Sequence, residues 1–486
     1  MRIILLIISF LFFSCSLEKF ERNIHMDDAD DTDKAEYDNE VTEPDMADEH
    51  YDHDGISFDE DQTIDEDAIF DEDVTIDEDI GLDEDIDSND EDVFEGRFRW
   101  SYNVGASTYI YYSSVALSAD NSTIFFGTSV KIRSDASRKD ALIALNRNGT
   151  KKWEYKLSGG EEVRSTPVVS DGRVCFLADY RTGEFSKTHT KLFCLNEATG
   201  TLAFVKTVSD NTGMSSMGLS KVVVSSSKIF VIMKYVYVFD ITDGSELYKS
   251  DQLQSFDNYV NPVVMGSEVM FILGGTLYFI SISDYSTRTV DISLLNNSAV
   301  LATPALDSLN NIYFGNRYGK VFAIKNDGTL LWKRDFNPEN NSNGPFVGSS
   351  VAIDESLGQI YFGTKGNNLS RFVALDIATG QTKWEYVTGR DIYSSPLIGS
   401  AGTIYFGSED RFVYALKPDG SLLWKEGVFQ DITWPSPAMD NKGVIYIGGM
   451  GDGAKNGKIY AIQTDCSGMK TGVWSKIHKN NQNTGK

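Results

Sequence analysis

Residues Ser394–Trp424 read "SSPLIGSAGTIYFGSEDRFVYALKPDGSLLW", and residues Ala302–Trp332 read "ATPALDSLNNIYFGNRYGKVFAIKNDGTLLW". The two stretches make the same statement. A small polar opening leads into a short apolar run, a turn, Ile-Tyr-Phe-Gly, a second turn, a third apolar run, an Asp-Gly turn and a closing Trp. Short runs rich in Ile, Val, Tyr and Phe between such turn residues read as strands. The same opening recurs as "SSVAL" at Ser113, "STPVV" at Ser165, "SSMGL" at Ser215, "VNPVV" at Val260, "SSVAI" at Ser349 and "PSPAM" at Pro435. That makes eight units spaced 41 to 52 residues apart.

Each unit holds four short strands, and nothing in 97–486 has the period of a long amphipathic helix. One four-stranded sheet cannot cover both of its faces. A ring of such sheets does, because every face packs on a neighbour. The expected fold is therefore all-β, an eight-bladed β-propeller of four-stranded blades. Closing aromatics stand at Trp153, Phe204, Tyr248, Trp332, Trp384 and Trp424, with Trp100 before the first unit and Trp474 after the last. Burying a ring of that size removes about 150–250 Å² from water, so these side chains are expected to stitch blade to blade. Units three and four lack Trp, and their wedges should be weaker. Two closures of the ring are open: the run around Trp100 supplies the outer strand of the last blade, or that blade uses Trp474 and Trp100 is a cap.

In "ALDIATGQTKW", Ala374, Asp376, Thr379, Gly380 and Trp384 follow the pattern Ala-x-Asp-x-x-Thr-Gly-x-x-x-Trp. This resembles the PQQ-like β-propeller repeat with its tryptophan docking motif. Units one, five and seven keep Ala, Gly and Trp in a form one residue shorter. The terminal "VWSKIHKNNQNTG" resembles a Trp…His…Thr-Gly segment found at one end of such proteins. Eight repeats match two kinds of relative: quinoprotein dehydrogenases, and the lipoprotein subunit of the bacterial β-barrel assembly machinery. The first kind implies pyrroloquinoline quinone (PQQ), Ca²⁺, an adjacent Cys-Cys pair and a catalytic Asp. No Cys-Cys pair occurs among the four cysteines. His189 and His478 lie in polar segments without metal-ligand neighbours and read as solvated loop residues. "GMGDGAKNGK" (449–458) lacks the spacing of a phosphate loop and reads as a hairpin connection. No catalytic residue, cofactor or metal is expected.

The N-terminus, "MRIILLIISFLFFSCS", has a basic start and an apolar run too short to span a bilayer as a helix. It reads as an export signal over 1–14. Ser14-Cys15 resembles a bacterial lipoprotein signal, which implies lipidation of Cys15. The other reading is an ordinary secretory signal with an incidental Cys. Ser16, rather than Asp, after the Cys favours the outer membrane. The net charge of −28 is local: residues 27–95 hold 34 Asp and Glu against Lys34 alone. Within them Phe58, Ile64, Phe70, Ile76 and Leu82 each precede Asp-Glu-Asp, a six-residue period that suits neither helix nor strand. Residues 15–96 are expected to be a disordered, self-repelling tether, with the propeller over 97–486. "HYDHDGISFDED" from His50 is only faintly like a Ca²⁺ loop. Such acidity argues against nucleic acid as a partner of the tether.

The functional expectation is a non-catalytic cell-envelope lipoprotein, monomeric, whose propeller is a scaffold for a protein or ligand. A quinoprotein dehydrogenase and a β-barrel assembly accessory factor are the alternatives. The long inserts between second and third strands of units one, two and eight should share one face. They carry Lys131, Arg133, Arg138, Lys139, Arg181, Lys187, Lys191, Lys455 and Lys458, a basic lean that would suit an acidic partner or the tether itself. Finally, unit two carries Cys175 where other second strands have an aromatic, and Cys194 where other third strands have Ala. Facing positions on neighbouring strands suit a disulfide in an oxidising compartment, which would leave Cys466 without an intramolecular partner.

Overall fold

The computed structural model describes residues 97–485, apart from 106–107, 130–139, 159, 164, 182–186, 211–221, 254–259, 296–299, 301, 339–343, 367–369, 452–455 and 473. Cys15 and the whole acidic segment lie outside the described residues. Among those described, the strands form eight antiparallel sheets, one per blade of a propeller. Blade six is representative: Ala352–Asp354, Gln359–Gly363, Arg371–Asp376 and Thr382–Val387, in that order from the channel outwards. Its first strand is wholly buried, and its fourth alternates exposed with half-buried residues. The gradient follows position in the ring, since inner strands have neighbours on all sides and outer strands face water.

The ring is closed by the N-terminal strand. Phe98–Asn103 pairs antiparallel with Lys458–Gln463 and so becomes the outer strand of blade eight. Trp100 faces Ala461, which faces Tyr446 on the second strand. The same aromatic–Ala–Trp row appears as Phe125–Ala144–Trp153, Tyr313–Ala323–Trp332, Tyr361–Ala374–Trp384 and Tyr405–Ala415–Trp424. The small Ala leaves room for two large rings on one face.

Each closing ring then reaches the next blade. Trp332 lies against the Thr-Gly turn of blade six, where its indole N–H donates to the Ile377 carbonyl at 2.8 Å. Gly380 in that turn has φ +67°, and a Cβ there would stand 2.5 Å from the Trp332 ring. Glycine therefore satisfies both the left-handed backbone and the close approach. Trp100, Trp153 and Trp384 donate in the same way to Arg147, Glu197 and Pro418 carbonyls. Trp424 instead donates to the Asp465 carboxylate at 2.9 Å. Phe204 takes the seat between blades two and three, and Tyr248 stacks on Tyr285. Between blades four and five the seat holds Val290.

Three local readings of the sequence are corrected. The opening of unit three was expected at Ser215, but its inner strand is Val222–Ser225, whose register corresponds to a start five residues later. Residues 211–221 lie outside the described set. His189 sits on a strand, because blade two extends its second and third strands to Arg173–Arg181 and Lys187–Asn196. There it stacks on Tyr180 with ring centroids 5.1 Å apart. His478 is not solvated: it is 1% exposed, inside a C-terminal tail packed across the channel.

That tail is held by the inner strands. Backbone N–H groups of Ile353, Ile398, Leu117, Val169, Val224 and Val264 donate to the carbonyls of Trp474, Ser475, Asn481, Gln482, Thr484 and Gly485. Six blades thus give an inner-strand amide to one segment. Two of its polar side chains bond inside: Lys476 Nζ donates to Asn483 Oδ1 at 2.7 Å, and Asn483 Nδ2 donates to the Val115 and Pro167 carbonyls. Lys470 reaches the fully buried Asp354 at 2.6 Å.

Candidate functional site at the channel mouth

In a four-stranded antiparallel blade, the turns after the first and third strands emerge on one face. The connection after the second strand and the crossover to the next blade emerge on the other. The tail bonds to inner-strand ends beside the first kind of turn, so it fills that end of the channel. The opposite end is the mouth.

The openings of the repeats build the mouth wall. In "SS" or "ST" units the first hydroxyl accepts from the second strand of its own blade: Gly127 N–H to Ser113, Leu177 to Ser165, Gly363 to Ser349 and Gly407 to Ser394. The second hydroxyl accepts from the neighbouring blade. Backbone N–H groups of Thr303, Ser350, Ser395, Ser436 and Ser114 donate in turn to Ser350, Ser395, Ser436, Ser114 and Thr166. This hydroxyl belt runs from blade five through blade eight and across the closure into blade two. Each bond is worth only about 1 kcal/mol net, but a buried amide left unpaired costs more. The repeat opening is therefore a fastening between blades, a role that sequence alignment alone did not show.

Just before these hydroxyls stand the rim residues. Tyr112 leads into blade one, Trp434 into blade eight, Tyr393 into blade seven and Phe346 into blade six. Their rings form a continuous arc: Tyr111 to Tyr112 at 4.2 Å, Tyr112 to Trp434 at 6.0 Å, Trp434 to Tyr393 at 4.6 Å and Tyr393 to Phe346 at 5.5 Å. Lys365 Nζ lies 5.8 Å from the Phe346 centroid and 5.7 Å from that of Tyr393.

Charges are interleaved with the arc. Asp431 binds Arg390 at 3.2 Å and Arg411 at 2.9 Å. Asp391 accepts from Ser370 at 2.6 Å and lies 3.8 Å from Lys365. Glu409 is the third carboxylate, and its pKa is pushed up to about 7, first by burial and then by Asp391. Burial and the nearby Glu409 also raise the phenols of Tyr111 and Tyr393, so both rings are neutral hydroxyl donors at physiological pH.

Other residues singled out in the sequence lie elsewhere. Cys175 faces Cys194 across blade two as a disulfide, with Cα atoms 4.1 Å apart. Cys466 is a buried free thiol that accepts the Tyr405 hydroxyl. Trp153, Trp332, Trp384, Trp424, Ala374 and Gly380 belong to the interblade seats, away from the mouth. Of the basic inserts, Lys131, Arg133, Arg138, Lys139 and Lys455 are outside the described residues, as are the side chains of Arg181 and Lys187. Lys191 is paired with Glu161 at 2.8 Å, and Lys458 lies 5.9 Å from the centroid of the exposed Phe429 ring. At the mouth of blades six to eight the lean is acidic and aromatic instead.

The cysteines are Cys15, Cys175, Cys194 and Cys466, with no adjacent pair to lie over a cofactor. Among the described residues no three His, Cys, Asp or Glu side chains converge as metal ligands.

Comparison with known proteins agrees with the architecture. The family model described as outer membrane protein assembly factor BamB matches residues 95–298 and 235–432. Among solved structures, BamB from Moraxella catarrhalis is 15% identical over 76% of this chain and 99% of its own, with a TM-score of 0.52. Quinohemoprotein alcohol dehydrogenase from Comamonas testosteroni is 11% identical over 77% of each chain, at 0.55. Sqt1 from Saccharomyces cerevisiae is 10% identical over 76% of this chain and 99% of its own, at 0.56. At such identities the structures share the fold alone. No curated protein matches the chain.

Proposed function

Because the chain belongs to the outer membrane protein assembly factor BamB family, we propose that it is a non-catalytic scaffold of the cell envelope that holds a protein partner at its channel mouth. It is exported, lipidated at Cys15, anchored to the outer membrane and monomeric. Residues 15–96 set the propeller off from the membrane. The partner belongs to an assembly of the kind for which the family is named.

One observation carries this reading. The channel is filled at one end by the chain's own tail and rimmed at the other by a half-buried aromatic arc. Aromatic side chains with polar edges are the groups most enriched in protein-binding surfaces. Phe429, on the same face in the crossover from blade seven to blade eight, is 72% exposed.

The test is photo-crosslinking in intact cells of the source organism, with benzoylphenylalanine placed at Phe429 or, on the opposite face, at Leu309. A discrete adduct with an envelope protein is expected from position 429 and none from 309. Adducts from 309 alone, or from neither, would overturn the proposal. Reduction of a dye by alcohols or sugars after adding PQQ and Ca²⁺ to the purified protein would replace it with the dehydrogenase alternative.

A further inference from the structure

The C-terminal segment meets the blades in ring order. The Trp474 carbonyl accepts from Ile353 of blade six, and that of Ser475 from Ile398 of blade seven. The Asn481 side chain then reaches Met439 of blade eight, its Oδ1 accepting the amide and its Nδ2 donating to the carbonyl. The carbonyls of Asn481, Gln482, Thr484 and Gly485 follow, on Leu117, Val169, Val224 and Val264 of blades one to four. Residues 474–485 thus sweep from blade six, across the closure, to blade four.

No single blade supplies this receiving site. Its backbone donors are spread from Leu117 to Ile398, each from a different sheet. Each lies on an inner strand, the edge of its sheet, where a buried amide needs a partner. In a ring of repeats each blade otherwise contacts its neighbours, which lets parts of the ring come apart separately. Bonds from one segment to blades on opposite sides bypass that limit. The segment is also tied to itself. Lys476 Nζ donates to Asn483 Oδ1, the Thr484 N–H to Asn480 Oδ1 at 3.1 Å, and the Gly485 N–H to the His478 carbonyl at 3.2 Å. Its end at blade four is therefore coupled to its start at blades six and seven. Trp474, 2% exposed, anchors that start in the core cluster that holds Ile353, Phe362 and Val373.

From this order we propose that residues 474–485 are an intramolecular ligand of the channel, a strap that enters once the blades have assembled and locks them into one cooperative unit. The Trp…His…Thr-Gly segment is its signature: Trp474 anchors it, and Gly485 permits the last contact. Gly485 has φ +78°, and a Cβ there would stand 2.9 Å from Val223 Cγ1. Glycine meets both demands. The lock is independent of what the mouth binds.

The experiment compares hydrogen exchange in the full chain as wild type, Gly485→Ala and Gly472→Ala. Gly472 is the control, because its φ is +73° but a Cβ there meets nothing within 4 Å. Both variants strain the backbone, and of the two only Gly485→Ala crowds the ring. In Gly485→Ala the amides of Leu117, Val169, Ile353 and Ile398 should exchange about tenfold faster, together with the adjacent Val224 and Val264. Gly472→Ala should leave all six at wild-type rates. Faster exchange confined to Val224 and Val264, or no change at any of the six, would overturn the proposal. Should Gly485→Ala not fold, a protease site inserted between the exposed Thr471 and Gly472 gives the reading on folded protein. After cleavage, displacing the strap in urea below the unfolding midpoint should release all six amides together. A synthetic peptide of residues 473–486 should restore their protection. A peptide that fails to restore it, or amides that stay protected without the strap, would overturn the proposal.

Discussion

Trp332→Ala tests the interblade seat where the structure gives the fullest description. The side chain is 8% exposed, faces Ala323, and lies against the blade-six turn with its N–H on the Ile377 carbonyl. Truncating a buried Trp costs about 3–5 kcal/mol, cavity included, and the abandoned carbonyl belongs within that figure. Unfolding entropy of about 2.1 cal/mol/K per residue, over roughly 390 residues, is ~0.8 kcal/mol/K. A loss of about 4 kcal/mol therefore lowers Tm by ~5 °C if the ring melts as one unit. Trp332→Phe keeps most of the buried area and loses the N–H, so it should cost only about 1 kcal/mol and 1–2 °C. Val290→Ala, at the blade-four seat, should cost about 1 kcal/mol or less, because that small side chain is already partly exposed. Calorimetry on the full chain ranks the three. A Trp332→Ala protein melting within about 1 °C of wild type would refute the stitching role, as would a Val290→Ala loss equal to it.

Cys15→Ser should leave the protein in the soluble fraction after a high-salt wash; sedimentation with membranes would mean that lipidation is not the anchor. Denatured but unreduced mature protein should show one reactive thiol, Cys466, whereas three would mean that Cys175 and Cys194 are not bonded in the cell. Glu409 gives stability a definite pH trend. Its folded pKa, about 7, lies above the ordinary 4.5, so the folded state binds the extra proton between these values and stability falls as pH rises through that window. The contribution lost is on the order of 2–3 kcal/mol, and Glu409→Gln should melt higher than wild type at pH 8 but not at pH 4.5. No gap, or a gap of opposite sign, would refute the burial assigned to this carboxylate.

The parts of the fold legible in the sequence were those written along single strands. The Ala374–Trp384 row and its turn glycine fall within eleven residues, so spacing alone exposed the seat. The pairing of Cys175 with Cys194 followed from comparing the same two positions in units one, five, six, seven and eight. The mouth is written differently. Phe346, Tyr393, Trp434 and Tyr112 are brought side by side only by ring closure, and no local period links them. The second hydroxyls of the openings looked like alignment marks because their partners belong to a neighbouring blade. In unit three Ser215-Ser216 imitated the motif, whereas Ser220-Lys221 directly precedes the Val222–Ser225 strand and offers only one of the two opening hydroxyls. The tail misled most. Lys476, His478, Asn481 and Asn483 have the composition of solvated chain, but all four are buried: Asn481 and Asn483 donate to carbonyls of the blades, and Lys476 donates to Asn480 and Asn483 within the tail.

Hydrogen exchange on the full chain, free and in complex with the protein captured from position 429, tests the assignment of the mouth most directly. The scaffold reading predicts slowed exchange confined to the rim segments 109–114, 346–350, 390–395 and 429–436, with the outer strands and the tail-filled end unchanged. Protection centred on the outer strands, or around Leu309 and the turns beside the tail, would contradict it.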